Sequence, residues 1–379
     1  VSLKLHTHAR VEGVTEVEIL KVLSPSEAAG SHLPSDTVLL WSEDAEGVVL
    51  LHGGPAPIRV TGLKDRAVVQ PGDVVRLRPG ATQVSVLYRR GVSSNALFAT
   101  ERCNSLCVMC SQPPREVDDA WRVAELLRLI PLIDPNVPLL TITGGEPTLL
   151  GEGLDAVLRS CRRYLPDTPV QVLTNGRTLA DRALTERLAA VHPAQATWAV
   201  PLYADVAAVH DVVVAADGAF EETLQGLYEL GRLGARVEIR VVLHKLTIPR
   251  LPALAAFLYR RLPFVAHVAL MGLEPMGLAK GRHDTLWIDP DDYREPLAAA
   301  VFHLAQRGLP VSIYNLPLCA LDRSLWPYAR QSISGWKNDF LPECQPCAVK
   351  THCAGFFASA GTDWRGRTVR PFLLEEFAA

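Results

Sequence analysis

Cys103, Cys107 and Cys110 follow one another in a C-x3-C-x2-C spacing directly after the short apolar run Ala96-Leu97-Phe98-Ala99. A loop this compact at a strand end can close its thiolates around one inorganic centre, and thiolates favour zinc and iron–sulfur clusters. A four-iron cluster held by three cysteines keeps one iron open to an outside ligand, which separates a reactive centre from a structural one. A zinc knuckle or unrelated thiols would show the same residue types. A second thiol group lies near the other end, where Cys319, Cys344, Cys347 and Cys353 form a C-x24-C-x2-C-x5-C pattern. Four thiolates can saturate a zinc ion or a [4Fe–4S] cluster. His352 is an alternative ligand there. Cys161 belongs to neither group: it shares a helical stripe with Leu154, Val157, Leu158 and Leu165, which marks it as a core thiol.

The elements that must position these cysteines alternate strand and helix from Leu97 onward. Strands are expected over 97–100, 139–143, 170–173, 196–202, 236–243 and 265–271, with helical periodicity between them. Six βα units imply an α/β fold, a parallel sheet curled into a partial (βα)6 barrel of the TIM type, with function at the C-terminal ends of the strands. The cysteine loop falls at such an end. So does Thr143-Gly144-Gly145-Glu146-Pro147, where paired glycines admit a ligand close to the backbone and a carboxylate suits an ammonium. Thr174-Asn175-Gly176 closes the third strand, Pro201-Leu202-Tyr203-Ala204-Asp205 the fourth, with His210-Asp211 nearby, and Met271 to Gly277 the sixth. On the fifth strand, alternation puts Glu238 and Arg240 on the face opposite Val237, Ile239, Val241 and Leu243. A charged pair in a barrel lumen is costly without partners or a ligand, so Arg240 is expected to meet a ligand; the other reading is an ion pair with Glu238.

The cysteine spacing resembles that of the radical S-adenosylmethionine (SAM) superfamily. The resemblance implies that Cys103, Cys107 and Cys110 hold a [4Fe–4S] cluster whose open iron is chelated by SAM. One electron then cleaves the sulfonium bond, giving a 5′-deoxyadenosyl radical that abstracts a substrate hydrogen. It further implies that Gly144, Gly145, Glu146 and Pro147 receive the SAM amino group and that Thr174 and Asn175 lie beside the cofactor. Tyr203 would join the ribose and methionyl contacts, Arg240 would reach the carboxylate, and His244 follows on the same strand. Many members carry an aromatic residue before the last cysteine, against the adenine; this chain has Met109, whose sulfur can pack on a purine face. The C-x2-C-x5-C core resembles the auxiliary-cluster extension (SPASM or twitch type) of radical SAM peptide maturases. Where those often continue C-x3-C, Cys353 is followed by Ala354-Gly355-Phe356-Phe357, so one auxiliary [4Fe–4S] cluster closed by Cys319 is expected.

Over its whole length the chain is similar to HxsC-type maturases of His-Xaa-Ser peptide systems. The motifs are 100–114 with its cysteines, Leu243-His244-Lys245, His267 to Glu274, Ser334-Gly335-Trp336-Lys337 and Cys353 to Phe357. What this implies is modification of a ribosomally made precursor peptide, with a sister radical SAM maturase and an electron donor as partners. A nucleoside or small metabolite as substrate, and a non-catalytic iron–sulfur or zinc scaffold, are the competing classes. No residue is singled out as a catalytic acid, base or hydrogen donor.

The remaining composition narrows the field. At 379 residues and 48% apolar, the chain is expected to form two or three globular domains: a β-rich 1–92, the barrel 93–310 and the auxiliary extension 311–379. His6, His8, His32 and His52 scatter through the β-rich part without acidic or thiol companions and read as surface residues. An exposed strand edge there could add a peptide strand. A formal charge of −3 without long single-sign blocks gives no nucleic-acid-binding surface. Lacking a signal peptide or an 18-residue apolar run, and with cysteines grouped as ligands, the chain reads as cytoplasmic and not membrane-bound.

Overall fold

The computed structural model describes residues 4–44, 47–54, 58–332 and 338–377. The Ser334-Gly335-Trp336-Lys337 motif lies outside them. In the N-terminal part the strands are β1 (His6–His8), β2 (Arg10–Glu12), β3 (Glu18–Leu23), β4 (Val38–Asp44), β5 (Gly47–His52), β6 (Arg59–Thr61), β7 (Val74–Leu77) and β8 (Gln83–Tyr88). They form one sheet in the order β1-β8-β7-β3-β4-β5-β6-β2.

β1 and β2 are separated only by Ala9, and one pairs with β8 while the other pairs with β6. The two ends of the sheet are therefore halves of one chain segment, and the sheet closes on itself around Leu20, Val22, Leu39, Leu50, Val60, Val75 and Val86. β1 and β2 remain the end strands of the sheet, each hydrogen-bonded to one partner. Pairing one segment with two distant strands leaves no local trace in the sequence.

The second sheet begins at β9 (Asn95–Phe98) and continues through β10 (Leu140–Thr143), β11 (Val170–Leu173), β12 (Ala196–Pro201), β13 (Arg236–Leu243) and β14 (His267–Gly272). It ends with β15 (Val311–Tyr314) and the two-residue β16 (Ala329–Arg330). All neighbours run parallel, in chain order, and β9 and β16 are the two ends. β15 and β16 extend the sheet beyond the six strands expected, so the segment after residue 310 opens with barrel strands. A short antiparallel pair, β17 (Asn338–Asp339) with β18 (Phe356–Phe357), follows. Among the described residues, no helix is long and apolar enough to cross a membrane.

The helices include α1 (Pro25–Ala29) in the front part, then α2 (Trp121–Leu129), α3 (Glu152–Tyr164), α4 (Arg182–Val191), α5 (Ala207–Val214) and α6 (Ala219–Arg232). They continue with α7 (Leu251–Arg261), α8 (His283–Leu286) and α9 (Arg294–Ala305). α3 buries Leu154, Val157, Leu158 and Cys161, the stripe its periodicity sets out, and Asp155 and Arg162 sit at the ends its dipole favours. The front part is not a loose appendage. Ile19, Val74 and Tyr88 belong to the same apolar core as Leu126, Leu129 and Ile130. Asp134 sits at that seam and accepts from Lys21 Nζ at 2.8 Å, Arg90 Nε at 2.7 Å and Tyr88 Oη at 3.1 Å.

Candidate active site

The cysteine loop leaves β9 and is tied down on both sides. Asp119, buried just before α2, accepts from the Thr100 hydroxyl at 3.0 Å and the Glu101 amide at 2.5 Å, and lies 3.5 Å from Arg102 Nε. On the opposite flank the Leu106 and Val108 amides donate to the Val214 and Val213 carbonyls at 3.0 and 2.9 Å. Arg282 donates to the Val108 carbonyl at 2.9 Å, and the Leu278 amide to that of Cys110 at 2.9 Å. Sequence reading missed Asp119, because an acidic residue ahead of a helix looks like an ordinary cap.

The glycine loop is laced directly to this one. The Gly145 amide donates to the Thr100 carbonyl at 2.7 Å and the Glu146 amide to the Arg102 carbonyl at 2.8 Å. A Cβ on Gly144 would run into the Thr100 carbonyl, and one on Gly145 into that of Arg102. Both glycines thus let two backbone segments meet. Glu146 is fully buried and does not face outward. Its carboxylate accepts from the Thr148 amide (3.0 Å), the Thr148 hydroxyl (2.5 Å), the Thr174 hydroxyl (2.7 Å) and the Asn175 amide (2.6 Å). Burial raises its pKa against the pull of those donors. Pro147 opens the short 3-10 turn that follows.

Asn175 extends the brace to the cysteines. Its Nδ2 donates to Asn104 Oδ1 at 2.6 Å and lies 3.9 Å from Cys103 Sγ. Burial pushes the Cys103 thiol up to about 11 and Cys107 to about 12, each raised further by the charge of a neighbouring thiolate or of Glu146. Loading a metal centre here must therefore release protons. Met109 packs with Tyr203 and Leu273 in a small apolar cluster beside the loop, with Cys107 against it. Tyr203 is buried with ring centroids 5.8 Å from His210 and 6.4 Å from His244. His210 Nδ1 accepts from the Tyr203 amide and His244 Nδ1 from the Leu246 amide, so both neutral rings carry their proton on Nε2. Burial lowers each to about 4. His244 Nε2 is buried without a hydrogen-bond partner.

Arg240 faces the lumen, as alternation requires. It lies 3.8 Å from Glu238 Oε1, with Nη2 3.2 Å from Met271 Sδ. It lines, with Thr143, Leu173, Met271, Glu274 and Tyr314, a cavity of about 510 Å³. Asp205 is bound by Arg250 through two hydrogen bonds of 2.6 Å.

The cysteines of the second thiol group lie within electrostatic reach of one another. Cys353 Sγ accepts from the Leu318 amide at 3.3 Å and the Gly355 amide at 3.4 Å, and Cys347 Sγ from the Phe372 amide at 3.4 Å. The Arg370 backbone bonds Cys319, and Cys344 acts electrostatically on both Cys319 and Cys353. Burial raises the Cys319 and Cys353 thiols, against the pull of the backbone amides that donate to them. His352 is exposed. Among the described residues, no three His, Cys, Asp or Glu side chains are drawn into a single-ion site.

The donor chemistry of the first loop fits an iron–sulfur cluster: converging thiols, an amide side chain near one sulfur, and an unpartnered buried imidazole donor close to the aromatic cluster beside the loop. Residues 97–258 match the model of the Radical SAM superfamily. A GTP 3′,8-cyclase of Nautilia profundicola (strain ATCC BAA-1463 / DSM 18972 / AmH) is 27% identical over 162 residues, 41% of this chain and 48% of that protein. The chain thus spans about half the length of that curated relative. Among solved structures, Streptococcus suis SuiB bound to S-adenosylmethionine is 16% identical with a TM-score of 0.46, covering 60% of this chain and 51% of that one. Native anSMEcpe with bound AdoMet is 16% identical with a TM-score of 0.45, covering 59% and 63%.

Proposed function

We propose that this chain, a radical SAM enzyme by the match of residues 97–258, acts on a ribosomally made peptide carrying His-Xaa-Ser repeats. Cys103, Cys107 and Cys110 would hold a [4Fe–4S] cluster, and Cys319, Cys344, Cys347 and Cys353 an auxiliary one. The observation that carries the first assignment is the lacing of the cysteine loop to the Gly144-Gly145-Glu146 loop through the Gly145 and Glu146 amides. The bound SAM supplies a 5′-deoxyadenosyl radical once reduced.

The protein's own residues position and seclude. Glu146 acts through the loop it braces: with Thr148, Thr174 and Asn175 it fixes the backbone that would meet the SAM amino group. His244 Nε2–H offers a buried donor, Met109 and Tyr203 an apolar surface for the adenosine, and Arg240 a cation at the lumen wall. The lumen is roomy enough for a side chain of an extended peptide segment, and Leu5, Leu87 and Arg89 of the front part contribute to its wall. A sister maturase and a one-electron donor complete the system. The barrel, with the front part before it and the auxiliary extension after it, is our division of the chain.

The test is mass spectrometry of a synthetic repeat peptide after anaerobic incubation with cluster-loaded enzyme, SAM and a reductant. A mass change accompanied by 5′-deoxyadenosine supports the reading. An unchanged peptide alongside a modified GTP would replace it with the nucleoside reading that the cyclase match favours.

A further inference from the structure

The floor of the barrel lumen holds a polar network that neither thiol site uses. Glu238 of β13 and His267 of β14 are register partners. His267 Nδ1 lies 2.9 Å from Glu238 Oε2, and its Nε2 lies 3.0 Å from the Ser312 hydroxyl on β15. Gln171 reaches from β11 to donate to Glu238 Oε1 at 3.1 Å. A carboxylate facing Nδ1 holds the neutral ring's proton on that nitrogen, which leaves Nε2 to accept from Ser312. The other charged or titratable groups facing this pair are Arg240 above it, Arg236 below it, and Tyr314 with Arg330 on the far strands.

Two cavities meet at Glu238. The lumen lies above, and a pocket of about 280 Å³ lies below, at the N-terminal ends of the strands. Gln171, Glu238 and Tyr314 wall both, whereas His267 lines only the lower one. Barrel floors are ordinarily filled by apolar layers. Here a carboxylate and an imidazole stand between a reaction-sized cavity and an opening to the opposite face.

We propose that Glu238 and His267 take up the proton that the substrate loses when its new bond forms, and release it to water through the lower pocket. This rests on the peptide reading. When a substrate carbon radical is captured by a neighbouring N–H or O–H group, a carbon–nitrogen or carbon–oxygen bond forms and the N–H or O–H bond breaks. The electron released would be taken by an oxidised iron–sulfur cluster, the oxidant this step requires, and one proton is left over. Glu238 is the lumen-facing acceptor, and the extra proton is held by the pair either as a carboxylic acid or as an imidazolium. His267 is the member open to the lower pocket, and Arg240 steadies the carboxylate once the proton has gone.

The experiment uses the cluster-loaded full chain with SAM, reductant and a synthetic His-Xaa-Ser repeat peptide, measuring 5′-deoxyadenosine and modified peptide over a range of pH. E238Q keeps the shape but cannot accept a proton. Modified peptide formed per 5′-deoxyadenosine should fall at least about tenfold, and its pH dependence should flatten. E238D should recover part of the loss. H267Q, which leaves Glu238 in place, should give a smaller loss in the same direction and decides the matter if E238Q melts non-cooperatively. A wild-type ratio and pH profile in the variants would overturn the proposal while leaving the peptide reading intact. A wild-type enzyme that cleaves SAM and leaves the peptide unchanged would overturn the peptide reading, and this proposal with it.

Discussion

The Asn175 amide donates to Glu146 Oε2 at 2.6 Å, while the Asn175 side chain reaches the cysteine loop at Asn104. One buried carboxylate therefore joins the loops that end β9, β10 and β11 into a single unit. Replacing Glu146 with Gln would put an NH2 donor in place of one carboxylate oxygen, facing the Asn175 amide at Oε2 or the Thr148 amide at Oε1. An unsatisfied buried pair of this kind costs roughly 1–3 kcal/mol. E146Q should melt earlier and bind SAM more weakly at normal iron content, as calorimetry and equilibrium dialysis would show. Unchanged melting and SAM affinity would remove Glu146 from its bracing role.

The first thiol triad should account for all reductive SAM cleavage. Changing Cys103, Cys107 and Cys110 together to Ala removes the only thiolates in that loop, so about four irons per chain should be lost. Iron analysis and 5′-deoxyadenosine chromatography check this directly.

The C-terminal quartet should behave as a separate centre. A C344A/C347A double variant should keep the absorbance of the first cluster and some unproductive SAM cleavage, yet modify no peptide or lose the folding of the extension. Elemental analysis of the wild type is the decisive control, since zinc beside about four irons would identify a structural zinc site in place of the auxiliary cluster.

Asp134 should be the main electrostatic tie between the front part and the barrel. D134A leaves Lys21 buried and unpaired, and breaking a buried pair in this way costs about 3–5 kcal/mol. The Arg90 and Lys21 hydrogen bonds hold the Asp134 pKa below its ordinary 3.8 despite burial. Its contribution is thus complete above that value and disappears as pH falls through the lower folded one. Wild type and D134A should converge in stability toward strong acid and diverge near neutrality, measurable by denaturant melts at several pH values. For the same reason, deleting residues 1–92 should expose Leu129 and Ile130 and destabilise the barrel, where an independent front domain would have left SAM cleavage intact.

Much of the barrel was readable because parallel strands bury both faces and stand out as apolar runs: 170–173 and 236–243 coincide with β11 and β13. β15 escaped because Val311-Ser312-Ile313-Tyr314 is short, half polar and hidden between a helix and the second cysteine group. The closure of the front sheet escaped because it depends on two distant partners for one segment. At the site, spacing identified the residues but not their directions. Glu146 looked like a ligand and is a buried brace, and Asp119, which drew no attention in the sequence, anchors the loop. Glu238 was noticed for its strand face, while its bond to His267 needed the register of β13 against β14.

The most direct test of the account follows one hydrogen atom. A repeat peptide deuterated at its histidine or serine carbons is incubated with the loaded enzyme and SAM, and the 5′-deoxyadenosine is weighed. A radical that meets its target within about 3–3.5 Å must collect that deuterium. Deuterium in 5′-deoxyadenosine from one of these positions is the result expected; no transfer from any peptide position, with transfer from a labelled nucleoside instead, would contradict the peptide-modifying function.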